Sequence, residues 1–147
     1  MFVKGRLYGQ TLISGFCWFY IQYSEEEILP TSEKMLILNF TNEKKIYVRA
    51  KVWGVAGNHE EIVFSENPIT IPNKDNDYIF YTSEVFYKTE KNVLIVYAPQ
   101  SGRNIPNISF ENVKIMIKGL KNAGEIRDYN INYQKYGLQR ISVYEQD

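Results

Sequence analysis

The sequence predicts an all-β fold: an antiparallel β-sandwich of jelly-roll type, with an immunoglobulin-like sandwich as second choice. Three observations lead there. Aromatic residues make up 15% of the chain, with 12 Tyr and 8 Phe, while Ala occurs only at Ala50, Ala56, Ala98 and Ala123. Aromatic and β-branched side chains fit a pleated, half-buried surface, whereas Ala favours helices. Short apolar runs are separated by Asn, Gly, Pro, Asp and Glu at the spacing of a two-sheet β domain. Some runs alternate with a period of two, the mark of a strand with one face in the core. With 147 residues and no repeat or linker, residues 1–147 are read as a single β-sandwich domain. A lone cysteine gives no Cys…Trp…Cys pattern, which ranks the immunoglobulin-like option second.

Residues 11–23 read as a long strand with a bend at Gly15, apolar on both faces and therefore central or covered. Ser24-Glu25-Glu26-Glu27 has the capping-box form, but Pro30 limits any helix to about one turn. Residues 35–40 and 45–53 flank Thr41-Asn42-Glu43-Lys44 and read as a β-hairpin. In its second strand Ile46, Val48, Ala50 and Val52 point to the core, and Tyr47, Arg49, Lys51 and Trp53 point outward. Residues 54–61 form a loop and 62–64 a short strand. Pro68 and Pro72 bracket an extended edge or loop, and 73–77 make a polar turn.

Residues 78–87 read as one strand with an irregularity at Ser83-Glu84. The continuous apolar run 92–98 reads as a central strand. After the 99–107 loop, 108–118 reads as a strand. Ile108 and Phe110 are out of phase with Val113, Ile115 and Ile117, so a bulge is expected at Glu111-Asn112. Residues 122–124 form a turn, and 126–133 with 138–144 a final hairpin through 134–137.

Charge and chemistry narrow the function. Lys+Arg and Asp+Glu are 17 each, so the net charge is zero. Nucleic acid is not expected as a partner without a basic excess, nor is a membrane held by charge. Weak repulsion favours self-association. Cys17 cannot form an internal disulfide and reads as a buried hydrophobe. It makes a poor dyad with His59, the lone histidine. Asp75 and Asp77 flank Asn76 in the manner of hard oxygen ligands, but without the glycine and closing glutamate of a calcium loop they read as a solvated turn. No nucleotide, zinc-protease or nucleophile-elbow motif is present, and the sequons at Asn39 and Asn107 read as chance. No catalytic residue, metal ligand or cofactor is assigned, and the chain is not expected to be an enzyme. Lys4 and Arg6 precede the apolar stretch 12–21, which lacks a small-x-small cleavage site and is too short for a helix across a bilayer. No signal or anchor is therefore read, and an intracellular or virion setting is expected.

The best binding candidates are rings on polar faces: Tyr47 and Trp53 beside Arg49 and Lys51, and the C-terminal Tyr129 and Tyr133 with Tyr136. The expected function is that of a non-catalytic structural subunit. It would be one small β-sandwich of a multi-copy coat, virion or appendage, its partner itself or another protein. The alternative is a jelly-roll carbohydrate-binding module that holds a glycan on exposed aromatics. Ile108-Ser109-Phe110-Glu111-Asn112-Val113-Lys114-Ile115 is similar to the closing strand of some sugar-binding jelly rolls.

Overall fold

The computed structural model describes residues 32–68 and 71–145. The expected strand at 11–23, the capped turn at 24–27, Cys17 and the N-terminal stretch 12–21 lie outside the described residues. The chain divides into two compact units. The larger contains Ser32–Val52 and His59–Asp147. Of the smaller, the described residues are 53–58, with a 3-10 turn at Val55–Gly57. Gly54 enters that turn at φ 90, a backbone region that glycine occupies without steric cost.

The strands among the described residues are β1 (Ser32–Asn39), β2 (Lys45–Trp53), β3 (His59–Ser65), β4 (Tyr78–Phe80), β5 (Glu84–Glu90), β6 (Val93–Pro99), β7 (Arg103–Asn104), β8 (Lys114–Leu120) and β9 (Gln139–Ser142). One helix, α1 (Ala123–Asn132), precedes β9. The strands form two open sheets, ordered β1-β2-β3-β4-β7 and β8-β6-β5-β9. The fold is thus mostly β, as composition predicted.

The expected first hairpin is present. β1 and β2 pair antiparallel from Ser32 opposite Val52 to Asn39 opposite Lys45. Phe40 N–H donates to the Lys44 carbonyl at 3.0 Å and closes the turn. The alternation in β2 does what it predicted: Ile46, Val48, Ala50 and Val52 are buried. Full burial of an Ile or Val side chain stabilises by roughly 1.5–3 kcal/mol, so this strand is a main anchor of the core. The same apolar cluster takes Ile62 and Phe64 from β3 and Phe80 from β4. From the other sheet it takes Val85 and Tyr87 of β5, Leu94, Val96 and Ala98 of β6, and Ile141 of β9. Alternate residues of both sheets therefore share one core. The run 92–98 is central as expected, with β6 between β8 and β5.

Four expectations are corrected. Residues 78–87 are two strands in different sheets: the chain leaves the first sheet after Phe80 and enters the second at Glu84, where an irregularity was read. Residues 108–113 are not a strand, so no bulge is needed; β8 starts at Lys114, and the similarity to a sugar-binding closing strand loses its strand. β8 runs parallel to β6, so the sheets are not purely antiparallel. The chain crosses through β7, in the other sheet, before returning, which is how a parallel neighbour is reached. Finally, 126–133 lies within or just after helix α1, and β9 pairs with β5, so there is no C-terminal hairpin. One boundary also shifts: β3 already begins at His59, inside the expected 54–61 loop.

Asn122 caps α1, accepting the Glu125 N–H at 2.9 Å, while the Glu125 carboxylate accepts the Lys121 N–H at 2.8 Å. Ile126, Tyr129 and Tyr133 fall at helical spacing and turn one side of the helix toward Phe86, Leu120 and Leu138. The helix covers the outer face of the second sheet.

Candidate functional site

Among the described residues, two edges and one aromatic cluster are surfaces on which function can rest. The first edge is β1, whose one strand neighbour among the described residues is β2. Its inner side carries Leu38, buried, and Leu36, half-buried against the common core. Its outer side carries Glu33, Met35 and Ile37; Met35 and Ile37 are each 48% exposed. Ile37 lies opposite Tyr47, and Tyr47 packs against Val63 and Ile79. An apolar strip thus crosses the outer face of the first sheet and ends at the exposed Ile37 and Met35 of β1.

The second edge is β8, with β6 as its neighbour among the described residues. Ile115 and Ile117 lean on the common core but stay half-buried. Lys114, Met116 and Lys118 face outward and are exposed. The turn after β1 reaches this edge. Asn42 Nδ2 donates to the Asn112 carbonyl at 3.0 Å, and Thr41 Oγ1 donates to Asn92 Oδ1 at 2.8 Å. Leu36, Ile115 and Ile117 thus border one core at two edges, the end of β1 being tied by a hydrogen bond to the approach to β8. Partly covered core residues on strands that end a sheet among the described residues form a surface that a further strand can extend.

Beside this lies the 105–113 loop with clefts on either side. One, of about 510 Å³, is lined by Glu43, Lys44, Lys45, Glu66, Glu111 and Asn112. Another, of about 560 Å³, runs past Tyr78, Asn92 and Phe110. The Glu66 carboxylate is occupied in structure, accepting the Glu111 N–H at 2.9 Å. The Asp75/Asp77 turn is likewise closed on itself: Asp77 Oδ2 accepts the Asn73 N–H, and Asn73 Oδ1 accepts the Asp75 N–H, both at 2.8 Å. Among the described residues no group of three or more His, Cys, Asp or Glu converges on a metal position. No helix among them is long and apolar enough to cross a membrane.

The aromatic cluster sits where α1 meets the second sheet. Tyr129 contacts Phe86, Tyr97 and Tyr136, with centroids 6.1, 5.4 and 5.3 Å away. The Tyr97 and Tyr136 rings are inclined to it at 62° and 57°, so the exposed side is stepped rather than flat. Burial pushes the Tyr129 hydroxyl above its ordinary pKa, and the nearby Tyr97, Glu125 and Asp128 add to this. The hydrogen bond that Tyr136 donates to Asp128 raises Tyr136, with smaller contributions from burial and from the charge on Asp128. Arg140 lies over the Tyr133 ring at 5.1 Å and is raised mainly by its hydrogen bond to Glu145, against the opposing effect of burial.

The six residues singled out from sequence divide between these places. Tyr47, Arg49, Lys51 and Trp53 do alternate outward on β2, but none is fully exposed. Arg49 is only 5% exposed and pairs with Glu61 at 2.9 Å and Glu33 at 3.6 Å, so it holds strands together. Tyr129 lies in the helix and Tyr133 is its C-terminal cap, both packed on the second sheet, where the sequence reading puts them on a strand. Sequence reading passed over β1 and β8 as a surface. The signal was present in Lys114-Ile115-Met116-Ile117-Lys118, since lysines at alternate outward positions mark an edge strand. No family model, curated protein or solved structure matches this chain.

Proposed function

We propose that the chain is a two-sheet β-sandwich that works by protein association, as a non-catalytic subunit of a multi-copy assembly. The observation that carries this is the pair of edges: Leu36 on β1 and Ile115 and Ile117 on β8 belong to the core yet are left half-covered. Half-covered core side chains on strands that end a sheet among the described residues gain burial when a partner strand docks, at about 25 cal/mol for each Å² of apolar area covered. Exposed Met35, Ile37 and Met116 extend the apolar area onto the outer face of the same strands. The zero net charge offers little repulsion between copies.

The glycan reading has weaker support. Tyr136 is exposed beside Asp128, and a ring next to a carboxylate can stack on and bond a sugar. The stepped rings offer no extended stacking surface, and the Asp128 oxygens already accept from Tyr136 and Asn132.

Size-exclusion chromatography with light scattering, over a wide concentration range, tests the proposal. A defined oligomer that grows with concentration is expected. A strict monomer at the highest concentration, with glycan binding that is lost in Tyr136→Ala, would transfer the function to the helix side.

A further inference from the structure

We propose that the cleft lined by the first residues of β4, β6 and β8 and by the 109–113 segment binds a neutral saccharide, with the Tyr78 hydroxyl as its anchor. The inference goes beyond the assembly reading, and the cleft shares no residue with the Tyr136 cluster. Its volume is about 560 Å³, within the roughly 300–1,000 Å³ of small-molecule sites and enough for one or two sugar rings. Tyr78 opens β4 and is only 8% exposed. Its ring meets Phe110 edge-on, with centroids 5.0 Å apart, which holds both rings in the cleft wall. Yet among the described residues no hydrogen bond engages the Tyr78 hydroxyl. A buried tyrosine hydroxyl ordinarily has a partner, because a polar group taken out of water without one is costly. A ligand seated in the cleft supplies that partner.

The rest of the lining sets the chemistry of the ligand. Phe110 and Val113 are buried, and with the half-buried Val93 and Ile115 they give the cleft apolar walls. Asn92 and Lys114 stand together, since the Lys114 N–H donates to the Asn92 carbonyl at 2.9 Å. Asn92 Oδ1 already accepts from Thr41 Oγ1 at 2.8 Å, so the Asn92 amide N–H groups are what it offers a ligand. Lys114 brings an ammonium and Glu111 a carboxylate to the same lining. The two charges cancel, so an ion of either sign meets one repulsive group, whereas a neutral ligand meets none. The hydroxyls of Tyr78 and Ser109 both donate and accept. A sugar matches this mixture: its C–H faces lie on the apolar walls, and its hydroxyls give and take hydrogen bonds at once. The saccharide is either free or the terminal unit of a glycan.

Saturation-transfer NMR on the full chain with glucose, galactose, N-acetylglucosamine, lactose and cellobiose tests this. At least one is expected to bind, with a Kd on the order of 1 mM. Tyr78→Phe is expected to weaken that binding about tenfold without lowering the melting temperature at neutral pH, because the hydroxyl it removes bonds no described residue. Ser109→Trp places an indole at an exposed position of the cleft lining and is expected to abolish binding, with circular dichroism to check that it folds. The same disaccharides joined to a carrier through the reducing end separate the two sources: capture of the carrier shows a glycan end, and binding of the free sugar alone shows a free saccharide. If none of the five sugars binds, or if binding ignores both variants, the proposal is overturned. Binding lost in Tyr136→Ala but kept in Tyr78→Phe moves the ligand to the helix side and overturns it as well. So does a nuclear Overhauser contact, in the protein without sugar, between the Tyr78 hydroxyl proton and an acceptor-bearing side chain, since the chain would then fill the cleft itself. None of these readouts depends on oligomeric state, so the assembly reading stands or falls separately.

Discussion

At the scale of single residues, Arg49 shows how a side chain that reads as a surface cation becomes a structural one. The period-two pattern places it outward, and outward it lies, yet it is buried with Glu61 at 2.9 Å. A guanidinium so enclosed is tolerated because a carboxylate neutralises it and accepts its proton donors. Glu33, more exposed, contributes less through water-screened attraction. Arg49→Met is expected to lower stability by about 3 kcal/mol, since it leaves the Glu61 carboxylate enclosed without its partner. The double variant Arg49→Met, Glu61→Leu is expected to recover most of that loss, because an apolar pair of similar volume fills the same space. Urea unfolding of the wild type, both single variants and the double variant measures the coupling. Additive losses would mean that the ion pair does not link β2 to β3.

At the scale of elements, strands with local signals were legible and the helix was not. The β1–β2 hairpin could be read because its turn residues and its alternation agree within some twenty positions. Residues 126–133 hold β-branched and aromatic side chains that favour strands, but packing on Phe86, Leu120 and Leu138 overrides that weak preference. The helical signal lay in the Asn122…Glu125 cap and in the spacing of Ile126, Tyr129 and Tyr133. The parallel entry of β8 could not be read, because it depends on a crossover through β7 rather than on any residue in β8. The edge site shares that difficulty, since a strand becomes an edge only through the order of the whole sheet. The cap gives α1 its own prediction. Asn122→Ala removes the acceptor for the Glu125 N–H and should cost about 1 kcal/mol. As α1 frays, the ring contacts of Tyr129 with Phe86 and Tyr97 loosen, so near-ultraviolet circular dichroism should weaken before the β signal does. Asn122→Asp keeps an acceptor and should behave as wild type.

At the scale of the whole molecule, the shared core couples the two sheets, and two tyrosines report on that coupling. Tyr78 enters the cluster from β4 of the first sheet and Tyr87 from β5 of the second. Burial raises both hydroxyls above the ordinary value of 10.0, because ionisation inside an apolar core is unfavourable. Below pH 10 both groups are protonated in folded and unfolded chains alike, so their contribution is fully present. As pH rises past 10 the unfolded chain releases these protons first, and stability falls until the folded-state values are passed. Urea midpoints should therefore hold level up to about pH 10 and then decline. Tyr78→Phe and Tyr87→Phe should each soften the decline, though Tyr87→Phe also removes a hydrogen bond to Gln139. Because alternate residues of both sheets form one cluster, hydrogen exchange at alkaline pH should show Ile62–Phe64 and Leu94–Val96 opening with one shared free energy. If the first sheet opened while the second stayed protected, the common cluster would not be the link that holds them. Tyr78 and Tyr87 would then titrate as reporters of two separate sheets.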